Sequence, residues 1–187
     1  MEVHQDLSNG YEGVAAEFIA RRSRSLIGAG TVRRWAQSLP AGASVLDLGC
    51  GSGIPVSQTL IQMGFTVFGV DASPTMIAAF RQNFPQARVA CEPVERSSFF
   101  GRTFDAAVAW GLMFLLPPDT QADLIRRIAA VLNPGGRFLF TAPEQSCTWR
   151  DVLTGKESIS LGATAYEKVA EEAGLKLTET TLDEGEN

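Results

Sequence analysis

The stretch Val-Leu-Asp-Leu-Gly-Cys-Gly-Ser-Gly, residues 45 to 53, decides the fold of this chain. Its first four residues form a β-type run that is apolar apart from one acidic residue, and glycines follow at positions 49, 51 and 53. Glycine lacks a Cβ, so it accepts a positive φ and lets another molecule approach the backbone closely. The stretch therefore predicts a strand followed by a turn whose backbone faces a ligand.

The spacing of these glycines indicates which ligand the turn binds. The dinucleotide-binding fingerprint, G-x-G-x-x-G, would place its third glycine at position 54, which is Ile54. Here the spacing is G-x-G-x-G, and Asp47 lies two residues before the first glycine. A carboxylate beside the turn would repel a pyrophosphate and attract a cation. The pattern therefore favours a positively charged ligand.

These residues resemble the first motif of the class I S-adenosylmethionine-dependent methyltransferases, (V/I/L)-(L/V)-(D/E)-(L/V/I)-G-x-G-x-G, which positions 45–53 match throughout. The resemblance implies a single three-layer, Rossmann-like α/β domain. It also implies S-adenosylmethionine as the cofactor and S-adenosylhomocysteine as the product. The residues that it places against the cofactor at this turn are Asp47, Gly49, Cys50, Gly51, Gly53 and Ile54.

Short apolar runs alternate with amphipathic stretches along the chain. This alternation predicts a mostly parallel sheet with helices on both faces and a ligand beyond the carboxyl ends of its strands. Ser73 is the expected N-cap of the second helix, with Pro74 at its first position, and Asp119 is the expected N-cap of the third. The predicted strands are 44–48, 66–70, 87–91, 104–109 and 136–141, and the predicted helices between them are 55–63, 74–83 and 119–132.

Two further helices are predicted ahead of the first strand, at residues 11–24 and 30–38, and they are candidates for a lid over the ligand. We accordingly divide the single domain into N-terminal lid helices (1–40), a cofactor-binding core (41–142) and a C-terminal helix and strand (143–187).

The C-terminal region departs from the pattern that the resemblance implies. Thr164 and Glu167 have capping-box spacing, and the helix that they open is predicted to end at Gly174, before a strand at 175–182. The family's sheet ends in an antiparallel strand, but no β run follows Leu182. We therefore expect that last strand to be missing, either because the chain is clipped or because its sheet edge is unusual.

Asp71 ends the second predicted strand and is followed by Ala72. One carboxylate has two oxygens and matches the two adjacent hydroxyls of a ribose, so we expect Asp71 to bind the ribose diol of the cofactor. The alternative is that Asp71 only caps the following helix together with Ser73.

The resemblance also assigns residues to the adenine ring. Glu92, at the end of the third predicted strand, aligns with an acidic residue that lies near the adenine amino group in the family. Pro93 stands where many relatives donate a backbone N–H to the ring, and proline has no such donor. That contact must therefore come from Val94, from water or not at all. Alternatively, Glu92 is an exposed loop carboxylate.

The methyl-transfer end of the site is less well defined by the sequence. The resemblance places Ala109 and Trp110 against the cofactor, and an aromatic residue at a place such as Tyr11 touches its methionine end in the family. The (D/N)-P-P-(Y/F) motif of enzymes that methylate amide or base nitrogens is missing here, and no general base is visible. The apolar residues that could wall an acceptor pocket, or equally well pack in the core, are Trp110, Met113, Phe114, Leu115, Tyr11 and Phe18.

Composition narrows the class of protein. The 187 residues, 45% of them hydrophobic, fit one globular domain, and a net charge of −5 argues against nucleic acid and anionic membranes as partners. Three widely spaced cysteines and the single His4 fit neither a disulfide framework nor a metal site, which favours the cytoplasm. Five arginines between positions 21 and 34 are either solvated helix faces or an anion contact for an acceptor.

Three functions remain open at this point. The first is a methyltransferase that moves a methyl group from S-adenosylmethionine to a small-molecule acceptor by in-line displacement, for which positioning alone supplies much of the rate. The second is a protein that binds the same cofactor without catalysis. The third is a nicotinamide-dependent oxidoreductase, which Asp47 and Ile54 disfavour. Neither the acceptor nor the oligomeric state follows from the sequence.

Overall fold

The computed structural model describes residues 6–182 and shows an α/β fold. No helix within this range has both the length and the apolar character needed to cross a bilayer. The helices are α1 (Tyr11–Arg22), α2 (Ala29–Ala36), α3 (Val56–Gln62), α4 (Pro74–Asn83), α5 (Pro118–Val131) and α6 (Ala163–Glu172). The strands are β1 (Ser44–Leu48), β2 (Thr66–Asp71), β3 (Arg88–Cys91), β4 (Phe104–Ala109), β5 (Leu132–Phe140), β6 (Cys147–Arg150) and β7 (Glu157–Ser160).

Five parallel strands form the central sheet in the order β3-β2-β1-β4-β5, which confirms the predicted parallel architecture. Val45 of β1 pairs with Val67 of β2 on one side and with Ala106 of β4 on the other. The chain runs outward from β1 to β3 and then crosses back to form β4 and β5. Such a reversal opens a crevice beyond the carboxyl ends of β1 and β4, where open α/β sheets bind ligands.

Successive side chains of β1 point to opposite faces of the sheet and pack in two different core clusters. Leu46 and Leu48 pack in one core cluster with apolar residues of α5, whereas Val45 packs in a second cluster with Val32 of α2 and Leu60 of α3. All of β1 is buried, as expected for a central parallel strand. Each aliphatic side chain buried in this way contributes about 1.5–3 kcal/mol. This burial holds helices against both faces of the sheet and fixes the position of the carboxyl end of β1.

Two predicted helix caps are wrong, and the reasons are local. The third predicted helix begins at Pro118 with Pro117 as its N-cap, so Asp119 lies inside the first turn. Proline suits the first helical position because its φ is preset and its missing N–H is not needed there. The last helix begins one residue before Thr164, so the capping box with Glu167 does not form. Its first N–H, from Ala163, donates instead to the carbonyl of Glu144. In contrast, Ser73 caps α4 as predicted, since its hydroxyl accepts from Met76 N.

The strand predicted at 175–182 is also wrong, because this segment is irregular. Leu175 packs against the core, but Leu177 and Leu182 are 52% and 89% exposed, so little burial would hold the rest of the segment extended. A strand needs a backbone partner, and within residues 6–182 no strand pairs with the outer edge of β5. The sheet described here therefore stops at five strands, without an antiparallel closing strand.

An antiparallel hairpin, β6–β7, was not predicted from the sequence. It is tied to the core through Gln121, a fully buried residue of α5. The Gln121 amide donates to the carbonyls of Leu116 and Ile159, both at 2.8 Å, and its oxygen accepts from the Tyr166 hydroxyl. Because unpaired buried polar groups are costly, this network fixes the hairpin against α5 and α6. The hairpin thereby lies beside the crevice.

Candidate functional site

A continuous cavity of about 1390 Å³ extends from the glycine turn past the hairpin to the outer face of β5. Residues of β5 and of the segment 175–182 line one part of this cavity. The part at the carboxyl ends of the strands brings together predicted site residues from several elements. These lining residues are Tyr11, Gly49, Gly51, Asp71, Ala72, Pro93, Val94 and Trp110.

The glycine turn presents its backbone to this cavity. Gly49, Gly51 and Gly53 all have positive φ, at 67°, 53° and 83°. A Cβ at position 51 would meet no atom closer than 3.9 Å, so this part of the turn faces open space. A Cβ at position 53 would lie 2.6 Å from the ring of Phe84, so Gly53 serves close packing and does not line the cavity.

Asp71 joins the glycine turn to the end of β2. One of its carboxylate oxygens accepts from Gly51 N at 2.8 Å, and the other accepts from Ser73 N at 2.8 Å. Burial raises the pKa of Asp71 above its ordinary value, although these two N–H groups oppose the rise. The cap of α4 is the Ser73 hydroxyl, so Asp71 does not itself cap that helix. Asp71 is one of the residues that line the cavity.

Asp47 lies beneath the turn and is only 1% exposed. Burial raises its pKa to about 7, the hydrogen bond from the Ser57 hydroxyl at 2.5 Å opposes this rise, and repulsion by Asp71 adds to it. A small cavity of about 40 Å³ connects Asp47 to the turn. Its lining includes Gly49, Cys50, Gly51, Ile54, Phe18, Arg22 and Trp110. A cation near the turn would therefore meet a nearby carboxylate with little solvent between them.

Helix α1 lies over this region and is fastened through both of its first two residues. The Glu12 carboxylate accepts from the hydroxyls of Ser73 and Thr75 and from Thr75 N, at the N-terminus of α4. The Tyr11 hydroxyl donates to Asp151 of the hairpin at 2.9 Å, and burial together with this carboxylate raises the Tyr11 pKa. The helix therefore bridges the end of β2 and the hairpin, and its role as a lid stays a prediction.

The loop after β3 carries the residues that the sequence assigned to adenine. Pro93 and Val94 line the cavity, whereas Glu92 does not, and Glu95 lines it instead. The Glu92 N–H already donates to the Asp71 carbonyl at 2.9 Å. Arg127 of α5 holds the far side of this loop, because its guanidinium donates to the carbonyls of Val94 and Ser97.

Of the residues at and after the end of β4 that were expected to line the site, some reach the cavity and others are buried in the core. Ala109 is fully buried in the core and does not reach the cavity, and Met113 is likewise a core residue. Trp110 does line the cavity, and its ring lies against Gly28, where a Cβ would come within 2.5 Å of it. Sequence reasoning missed Gly28, whose only signal is its place between two predicted helices.

The hairpin supplies two cavity residues that sequence reasoning also missed, Trp149 and Asp151. The Trp149 ring contacts Phe114 with a centroid separation of 5.2 Å, so an aromatic wall faces the part of the cavity beyond the glycine turn. Among residues 6–182, no three metal-ligating side chains lie close enough to hold a metal ion. His4 lies outside the described residues.

Sequence comparison relates this chain to methyltransferases. Residues 45–136 match a family model described as a methyltransferase domain. A ubiquinone biosynthesis O-methyltransferase from Xanthomonas axonopodis pv. citri is 29% identical over 127 residues, which cover 65% of this chain and 52% of that protein. The chain spans about half the length of the curated relatives it matches.

Solved structures share the fold at lower identity. The CcbJ methyltransferase from Streptomyces caelestis superimposes with a TM-score of 0.70 at 18% identity, over 94% of this chain and 89% of that one. The 1,6-didemethyltoxoflavin-N1-methyltransferase from Burkholderia thailandensis, solved with 1,6-didemethyltoxoflavin and S-adenosylhomocysteine bound, gives a TM-score of 0.68 at 19% identity. That match covers 97% of this chain and 85% of that one.

Removing the Arg127 side chain is expected to loosen the loop after β3. Arg127→Met loses two charge-assisted hydrogen bonds, each worth about 1.5–3 kcal/mol, so the free energy of unfolding should fall by about 2 kcal/mol or more. Urea denaturation measures this change. The matched control is Arg126→Met, whose guanidinium is exposed and lies 3.8 Å from Glu172. Equal losses in the two variants would contradict the role given to Arg127.

Asp47 should make the protein less stable as the pH rises. Its pKa of about 7 in the folded state lies above the ordinary value of 3.8, so between these values the folded state binds more protons than the unfolded state. The free energy of unfolding therefore decreases with pH across this window, and Asp71 contributes with the same sign. In urea denaturation at several pH values, Asp47→Asn should show a smaller decrease than the wild type. The same slope in both proteins would contradict this assignment.

Proposed function

Because the chain belongs to the class I S-adenosylmethionine-dependent methyltransferases, we propose that it transfers the methyl group of S-adenosylmethionine to a small-molecule acceptor. The hydrogen bond from Gly51 N to Asp71 carries this proposal, since it joins the glycine turn and the acidic end of β2 into one cavity wall. The charged and hydroxyl groups of S-adenosylmethionine also match the side chains at this wall. A sulfonium and an ammonium suit the buried carboxylate of Asp47, and a ribose diol suits the carboxylate of Asp71.

The cofactor is placed along the carboxyl edge of the sheet in this proposal. Its methionine end lies over Gly49–Gly53, where the small cavity connects Asp47 with Arg22. The Arg22 guanidinium has the charge to bind the methionine carboxylate, and sequence reasoning did not single it out for that role. The other proposed contacts are Tyr11, Cys50, Ile54 and Trp110 at the methionine end, Asp71 and Ala72 at the ribose, and Pro93 and Val94 at the adenine.

Positioning is the main catalytic contribution that these residues can make. When bound, S-adenosylmethionine supplies an activated methyl group on a sulfonium whose leaving group is neutral. The chain must then align an acceptor atom behind that methyl group and keep water out, and such alignment supplies much of the rate in displacement reactions. Helix α1, fastened through Glu12 and Tyr11, covers the cavity from one side. Trp110 and Phe114 line the side from which an acceptor would approach.

A small molecule is the acceptor class that the cavity favours. The space beyond the glycine turn is walled by aromatic side chains and is concave, as small-molecule sites are. The net charge of −5 opposes a nucleic acid acceptor. The Burkholderia structure gives a precedent for the fold, because a small heterocycle and S-adenosylhomocysteine are bound together there.

A screen of metabolites tests the proposal, with formation of S-adenosylhomocysteine as the readout. The full chain should first bind S-adenosylmethionine but not NAD in titration calorimetry, and should then turn over at least one acceptor. Binding of NAD without binding of S-adenosylmethionine would contradict the cofactor assignment. Cofactor binding with no turnover would favour the alternative function, a non-catalytic protein that binds S-adenosylmethionine or S-adenosylhomocysteine.

Asp71→Asn is expected to weaken S-adenosylmethionine binding by at least about 1.5 kcal/mol, because it removes a charged partner from the ribose hydroxyls. Calorimetry measures the dissociation constant, and thermal unfolding checks that the variant folds. Asp123→Asn, the same change at an exposed position of α5, is the matched control. An unchanged dissociation constant in Asp71→Asn would refute the ribose role.

A further inference from the structure

Asp151 stands out among the cavity residues that the cofactor assignment leaves unused. It follows β6 directly and lines the same cavity as the glycine turn. We propose that Asp151 binds a protonated amine of the acceptor, so that the acceptor is an apolar or aromatic amine. This inference rests on the proposed methyltransferase function and names the substrate class for that site.

The hydrogen bonds of Asp151 fix its carboxylate in place and keep it ionised. One oxygen accepts from Leu153 N, Thr154 N and the Thr154 hydroxyl, and the other accepts from the Tyr11 hydroxyl. Burial would raise the pKa of Asp151, but these bonds outweigh it and hold the pKa below its ordinary value. The residue is therefore negatively charged at neutral pH.

Asp151 is not part of the ion pairs found within residues 6–182, Arg21 with Glu17 and Arg126 with Glu172. Within residues 6–182, Tyr11 is the single donor to its Asp151 oxygen, and a carboxylate oxygen can accept more than one hydrogen bond. A half-buried, oriented carboxylate at a cavity wall favours a cationic group on the ligand.

The walls next to Asp151 are suited to the body of such an amine. Trp149 packs against Phe114 on the hairpin side, and Tyr11 contacts Phe18 edge to face on the α1 side, with ring centroids 5.3 Å apart. All four aromatic residues line the cavity. Their rings bury apolar surface, and aromatic faces also attract cations.

Helix α1 connects Asp151 with the proposed cofactor site. Tyr11 contacts Asp151, while the Phe18 ring lies close to the space above Gly51. Because seven helical residues rise by about 10 Å, one small molecule can contact Asp151 and still present an atom at the glycine turn. Arg22 and Arg34 also line the cavity and would favour an anionic acceptor instead, so the charge of the acceptor decides between these arginines and Asp151.

A pair of probes with opposite charge tests the inference on the full chain saturated with S-adenosylhomocysteine. Phenethylamine and 3-phenylpropanoate share an aromatic body and differ in charge. Calorimetry should show that phenethylamine binds at least tenfold more tightly. Asp151→Asn keeps an oxygen for the turn hydrogen bonds and gains an amide that can donate to the Tyr11 hydroxyl, but it loses the charge. It should therefore weaken phenethylamine binding at least fivefold and change S-adenosylhomocysteine binding by less than twofold.

Thr154→Val is the structural control, because it removes a hydrogen bond from the same turn but keeps the Asp151 charge. It should bind phenethylamine within twofold of the wild type. Three results overturn the inference: equal or tighter binding of 3-phenylpropanoate, unchanged amine affinity in Asp151→Asn, or no amine binding by protein that does bind S-adenosylhomocysteine. Failure of the wild type to bind S-adenosylhomocysteine itself overturns the proposed function, and this inference with it.

Discussion

The hydrogen bond between Gly51 N–H and the Asp71 carboxylate sets the geometry on which the rest of the site depends. Parallel pairing of β1 with β2 brings the ends of these strands side by side, but it does not fix the loops that follow them. The carboxylate does so, because its other oxygen accepts from Ser73 N at the start of α4. One side chain thus aligns the glycine turn, the end of β2 and the helix against which Glu12 fastens α1.

This arrangement has a cost in stability. Asp47 and Asp71 are close enough to repel each other, and burial disfavours the charged form of both carboxylates. Perturbed carboxylates of this kind cluster at functional sites, where a ligand supplies the missing charge. A cationic cofactor over the turn would offset the repulsion. In the proposed function, the repulsion between these carboxylates and the attraction of the site for a sulfonium nucleoside would have the same physical origin.

The sequence predicted the parts of the protein whose signal is local. The β1 run, the three glycines, Asp71 and the Ser73 cap were all recognised, because each depends on backbone conformation or on neighbours a few residues away. Asp151, Trp149 and Gly28 were not. The strands of the hairpin are short and polar, and Gln121, which anchors them, is distant in sequence. The segment at 175–182 shows the opposite error, since an apolar pattern alone does not supply the backbone partner that a strand needs.

The residues that were recognised from the sequence belong to the proposed cofactor site, and most of those that were missed belong to the proposed acceptor site. The cofactor side is built from the ends of parallel strands, whose motif can be read in one short stretch. The acceptor side is built from α1, the loop after β4 and the hairpin, which meet only in the folded protein. In this proposal, substrate preference would depend on contacts between distant segments, such as the bond from Tyr11 to Asp151.

A crystal structure of the protein soaked with S-adenosylhomocysteine would locate the cofactor. We expect electron density for the amino-acid portion over Gly49–Gly53 and for the ribose hydroxyls within hydrogen-bonding distance of Asp71. Density at any other place on the protein, with these two loops empty, would contradict this placement.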